Sequence, residues 1–71
     1  MTLSEWRAKN GLSLEAVASK LNKSKGHLHA VEKDNYATAR LALDIEQLTG
    51  GEVDAAFLNP EIAEARRAQA A

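Results

Sequence analysis

Apolar residues recur at helical spacing in the first half of the chain. Leu14, Val17, Ala18 and Leu21 fall at i, i+3, i+4 and i+7, which lays them along one face of a helix of about 3.6 residues per turn. After a polar stretch, Leu28 and Val31 resume the inward spacing. Residues 13–33, SLEAVASKLNKSKGHLHAVEK, therefore read as two short helices joined by a tight turn. Ala18 is small enough to let two helices cross closely. Asn22 stands where the chain has to turn, and Asn tolerates the left-handed backbone conformation better than most residues other than Gly. Ser24 offers the hydroxyl that caps the second of the two helices.

The flanking pattern predicts further helices. Thr2 and Glu5 have the capping-box spacing, opening a helix over about Leu3–Lys9 that Asn10 and Gly11 end. Leu3 and Trp6 share its inner face; a tryptophan at that spacing from a leucine is more often core than a stacking platform for a base. Leu12 tucks inward and Ser13 caps the next helix. Thr38 is expected to cap a helix over Ala39–Thr49, with Leu41, Ile45 and Leu48 inward, Leu43 outward, and Gly50 and Gly51 at its end. Val53, Phe57 and Leu58 suggest a short helical turn, capped by Asp54, that closes the core. Asn59 and Pro60 form a cap and first-turn pair for an alanine-rich helix running to about Ala68 and anchored by Ile62. A helix this short is marginal alone, so the last residues are expected to be disordered. The pattern specifies an all-α fold, a compact bundle of about five helices, with residues 1–58 as the domain and 59–71 as a short C-terminal helix or frayed tail.

Composition narrows the chemistry. A chain of 71 residues without cysteine has room for one small core and no disulfide, thiolate metal site or cysteine nucleophile. His27 and His29 diverge by about 200° on a helix and have no neighbouring carboxylate or thiol to complete a metal site. With no glycine-rich phosphate loop, and with Ser24 explained by capping, neither an enzyme nor a cofactor nor a small-molecule substrate is expected. No apolar run approaches the roughly 20 residues that span a bilayer, and the start lacks a basic-then-apolar leader pattern, so a cytoplasmic protein is expected. The net charge of −1 conceals a polarity: residues 1–40 carry seven basic and four acidic side chains, residues 41–71 two basic and six acidic. A basic half containing the paired helices would orient the molecule towards phosphate.

The order Leu14, Ala18, Asn22, Ser24, Leu28, Val31 and then Glu32 resembles the helix-turn-helix of lambda-repressor-like and Cro-like DNA-binding proteins, over about Leu3 to Gly51. The run ALDIEQLTGGEV, residues 42–53, is similar to the YdaS-like branch of small prophage Cro proteins. Leu14 stands where that family often has glutamine, Asn22 where it usually has glycine, and Lys23 where an apolar residue is common. The resemblance implies a sequence-specific transcriptional regulator of repressor type, phage or prophage derived. It would read operator DNA in the major groove and be nucleoid-associated when bound. Double-stranded DNA is the implied partner, bound by a homodimer on two half-sites.

On that reading the helix after Ser24 turns Gly26, His29, Ala30 and Lys33 outward, with Lys25 and His27 beside them. Lys25 and Lys33 suit phosphate or a guanine edge, His29 a purine N7 or phosphate, and Ala30 a thymine methyl. Ser24, Asn35 and Arg40 complete the candidate DNA-contacting set, with Tyr36 either at phosphate or covering the core edge. Singly, each could be a plain solvent-facing residue. Gly26 argues for more, because glycine costs a helix about 1 kcal/mol relative to alanine and its smallness favours close approach. Leu43, Phe57 and Ile62 are the candidate dimer contacts. The alternative is a protein-interaction module, antitoxin-like or an antirepressor partner, that retains the helix-turn-helix fold; the acidic C-terminal half supports it. A non-specific architectural DNA binder fits the near-neutral net charge least well.

Overall fold

A computed structural model describes residues 1–70. Among them are six helices and no strand: α1 (Leu3–Asn10), α2 (Leu14–Lys20), α3 (Lys25–Asp34), α4 (Ala39–Leu48), α5 (Ala55–Leu58) and α6 (Pro60–Ala70). None of these is long and apolar enough to cross a membrane. Such short helices need their ends satisfied, and the sequence supplies the groups. Thr2 and Glu5 form the full capping box, the Thr2 hydroxyl accepting from Glu5 N at 3.1 Å and the Glu5 carboxylate from Thr2 N at 2.8 Å. Ser13, Ser24 and Asp54 accept from the backbone N–H groups of Ala16, His27 and Ala56.

At their C-terminal ends α1, α2, α3 and α4 pass through left-handed residues: Gly11, Asn22, Asn35 and Gly50. In each the next N–H reaches back five residues to a carbonyl: Leu12 to Arg7, Lys23 to Ala18, Tyr36 to Val31 and Gly51 to Glu46. This is the Schellman closure, which satisfies carbonyls that a helix end leaves open.

The inner faces meet in one core. Leu3 and Trp6 from α1, Val17 and Ala18 from α2, and Leu28 and Val31 from α3 are buried with Leu41, Ala42 and Ile45 of α4. Val53, Ala55 and Leu58 close it from below. Trp6 is core, its indole N–H donating to Glu52 at 3.3 Å. Leu12, Leu14, Leu21, Leu48 and Ile62 pack around the margin.

Four expectations need correction. The bundle has six helices because the turn after Asp54 is itself helical. Phe57 does not close the core but is 51% exposed. On α5, Ala55 and Leu58 share the inner side, and Phe57, two residues from Ala55, points about 200° away from it. Thr38 occupies the cap position of α4 but makes no side-chain cap bond. The start of α4 is instead held through Ala37, whose N–H donates to Leu58 O at 3.0 Å and whose carbonyl accepts from Asn59 Nδ2 at 2.9 Å. Finally, α6 stays helical through Ala70, while the expected disorder at Ala71 lies outside the described residues.

α6 buries no residue fully and is fastened by polar contacts. Asn59 Oδ1 caps it, accepting from the N–H groups of Glu61 and Ile62. One turn beyond Ile62, the Arg66 guanidinium donates to both oxygens of Glu46 on α4, at 2.8 and 3.1 Å, and to Asp54 at 2.6 Å. Glu46 also accepts from Ala55 N, so a single carboxylate ties α4, α5 and α6.

Ala18 is 2% exposed at the α2–α3 crossing, so Ala18→Leu should overpack it and lower unfolding free energy by about 1–3 kcal/mol or more, read by urea denaturation. Acid should loosen the fold. The Arg66 hydrogen bonds, then the Ala55 N–H, hold the Glu46 carboxyl below its ordinary value; Lys9 does so for Glu52, and the Thr2 N–H and hydroxyl for Glu5. Carboxyls lowered on folding stabilise fully above their unfolded value of about 4.3, and that contribution is lost as pH falls through the folded values. The thermal midpoint should therefore be level from neutrality to about pH 5 and fall below it. Glu46→Gln should lower the neutral midpoint and flatten the acid slope, both measured by far-UV circular dichroism.

Candidate nucleic-acid interface

The turn between α2 and α3 is built from hydrogen bonds that its own residues require. Asn22 adopts φ 58°, and in that conformation Asn22 N donates to Ser19 O at 3.1 Å and Lys23 N to Ala18 O at 2.9 Å. The chain turns within residues 21–24, and Ser24 Oγ, accepting from His27 N at 3.1 Å, starts α3. Leu28 and Val31 then anchor α3 inward at 0% and 3% exposure.

A second anchor sets the rotation of α3 about its axis. Glu32 receives a two-point contact from Arg7 of α1, Nε to Oε2 at 2.7 Å and Nη2 to Oε1 at 3.1 Å. Nη1 of the same guanidinium donates to Leu12 O at 3.2 Å. Both side chains are largely sheltered, 23% and 13% exposed, and the hydrogen bonds to Glu32 raise the Arg7 pKa. Paired donors from a planar guanidinium fix direction as well as distance.

With Leu28, Val31 and Glu32 committed inward, the opposite side of α3 is exposed: Lys25, Gly26, His27, His29, Ala30 and Lys33 all face solvent. Lys33 has no ion-pair partner among the described residues. Lys25 stands 4.0 Å from Glu15 of α2, with both side chains well exposed. A methyl group at Gly26 would meet nothing within 4 Å, so no packing within the chain calls for glycine there.

The other candidates separate from this group. Asn35 ends α3 in the left-handed conformation at φ 50°, and its side-chain N–H reaches Phe57 O at 3.4 Å. Its observed role is to close a helix and join the loop after α3 to α5. Arg40 lies on α4, 3.3 Å from Asp44 in an i, i+4 pair, with its side chain 88% exposed. Tyr36 is exposed and does not cover the core. Of the proposed dimer contacts, Leu43 and Phe57 are about half exposed, whereas Ile62 packs against the core.

Sequence reasoning overlooked a shallow groove beside the turn. It is lined by Glu15, Ala18, Ser19, Asn22, Lys23, Ser24 and Lys25. Lys23 was visible only as a departure from a motif; its closeness to Ser19 and Glu15 depends on the helix crossing. No family model, curated protein or solved structure matches the chain.

Gly26→Ala should raise the stability of the free protein by about 0.5–1 kcal/mol, since the added methyl meets open space and removes the conformational cost of glycine. Chemical denaturation of the two proteins side by side measures it. Unchanged or lower stability would reveal a structural requirement for glycine at this position.

Proposed function

We propose that the chain is a sequence-specific DNA-binding transcriptional regulator in which α2, the turn and α3 act as a helix-turn-helix and α3 lies in the major groove. The observation that carries this reading is the division of α3. Its inner side is immobilised by Leu28, Val31 and the Arg7–Glu32 contact, while its outer side offers Lys25, His27, His29 and Lys33 around the small residues Gly26 and Ala30. A rigid backbone carrying donors around a low-relief centre suits major-groove edges, which present acceptors on guanine and adenine and a methyl on thymine. The sequence resemblance to Cro-like regulators, with a prophage type as its nearest form, supports the same reading. A single short helix contacts few base pairs, so two copies on an inverted repeat are the expected binding unit.

The second reading is a protein-interaction module built on the same helices. It is favoured by Tyr36, Leu43 and Phe57, which are 48%, 46% and 51% exposed. Tyr36 and Phe57 lie on neighbouring segments joined by the Asn35–Phe57 and Ala37–Leu58 hydrogen bonds.

Selection from a random duplex pool at near-physiological salt separates the two. Enrichment of an inverted repeat is the expected outcome, and a folded protein that enriches nothing would turn the assignment towards a protein partner. With the enriched duplex in hand, changing Lys25, His29 and Lys33 together to alanine should weaken binding at least tenfold with the thermal midpoint preserved. Undiminished affinity of that triple variant would remove α3 as the reading element.

A further inference from the structure

The groove between α2 and α3 carries a charge of the wrong sign for a phosphate-facing surface. Glu15 lines it together with Lys23, Ser24 and Lys25, and its carboxylate stands 4.0 Å from Lys25 Nζ. Among the described residues it is the one carboxylate lining that groove. Neither partner is packed, the two side chains being 75% and 63% exposed. A carboxylate in the first turn of α2 also faces the positive end of the helix, a benefit that is local to α2 and does not depend on Lys25.

Resting on the DNA-binding reading above, we propose that Glu15 is a specificity-determining residue: it occupies Lys25 and holds phosphate out of the α2–α3 groove. A phosphate that approaches Lys25 comes to sit beside the like charge of Glu15. Non-specific binding consists almost wholly of phosphate contacts, so losing one weakens it in full. A specific complex draws in addition on base contacts from the outer side of α3 and depends less on that phosphate. The acidic residue therefore widens the gap between right and wrong sequences by penalising the wrong ones.

Glu15→Gln tests this by fluorescence anisotropy on the duplex enriched by selection and on a mixed-sequence duplex, each across a salt series. The expected result is mixed-sequence affinity about two- to fivefold tighter, the scale of one exposed charge pair, with a smaller gain on the enriched duplex. The slope of log affinity against log salt should steepen by about 0.9 on the mixed duplex, the signature of one added phosphate contact. Adding Lys25→Gln to Glu15→Gln should abolish that increment. Circular dichroism confirms that each variant is folded.

Unchanged affinities and slopes in Glu15→Gln, with wild-type protein binding DNA, would overturn the gate and leave the DNA-binding reading intact. Weaker binding of Glu15→Gln to the enriched duplex alone would also overturn it, since Glu15 would then be accepting a hydrogen bond from a base. A selection that enriches nothing, with neither wild type nor Glu15→Gln binding the mixed-sequence duplex, would bring down the DNA-binding reading and the gate with it.

Discussion

The contact between Arg7 and Glu32 decides how α3 is presented. One guanidinium engages both oxygens of Glu32 and the carbonyl of Leu12, so it joins α1, the link into α2, and α3 at one point. Burial of Leu28 and Val31 alone would hold α3 against the core yet leave some freedom to roll about its axis, because apolar contact has no direction. A planar two-point ion pair has direction. By fixing Glu32, it determines that Gly26, His29, Ala30 and Lys33 face outward. Removing either partner would leave a sheltered charge without its counter-charge, which costs more than the pair itself contributes.

The same pairing revises the electrostatic picture drawn from charge counts. Of the basic residues in the first half, Arg7 is committed to Glu32 and Lys9 to Glu52, and neither projects a free charge towards a ligand. In the acidic half, Glu46 and Asp54 are occupied by Arg66, and Asp44 by Arg40. Much of the apparent polarity is thus internal fastening. What remains exposed in the α2–α3 region is Lys20, Lys23, Lys25 and Lys33, with Glu15 beside Lys25 and Asp34 at the end of α3. The unpaired positive charge is smaller than the sequence count suggests, but it is local to α2, the turn and α3.

Legibility in the sequence followed the range of the interactions. Features set by near neighbours along the chain were readable: the Thr2–Glu5 box, the Ser13 and Ser24 caps, left-handed Gly11 and Asn22, and the inward spacing of Leu28 and Val31. Features set by partners far along the chain were not. Arg7–Glu32 spans 25 positions and Arg66–Glu46 spans 20, and no local pattern distinguishes these arginines from solvent-facing ones. Asn35 shows the boundary between the two cases. Its type suits a left-handed helix end as well as a phosphate contact, and only the returning bond from Tyr36 N to Val31 O assigns it to the former. Phe57 is apolar enough to suit the core, yet the helical angle from Ala55 and Leu58 turns it outward.

Two choices in the α2–turn–α3 segment run against stability. Asn22 takes a left-handed conformation that glycine would adopt at less cost, and Gly26 sits in the first turn of α3 where alanine would be better and nothing obstructs a methyl. Elsewhere the agreement is close but not complete: left-handed Gly11 and Gly50 end helices and no buried side-chain polar atom lacks a partner among the described residues, while Asn35 ends α3 at φ 50° and Thr38 makes no cap bond for α4. Asn22 and Gly26 both stand in the segment proposed above to bind DNA, and selection for binding can retain a residue that selection for folding would replace. At Gly26 an added methyl would meet nothing within 4 Å, so packing within the chain does not account for the glycine, whereas the close approach of DNA proposed above would.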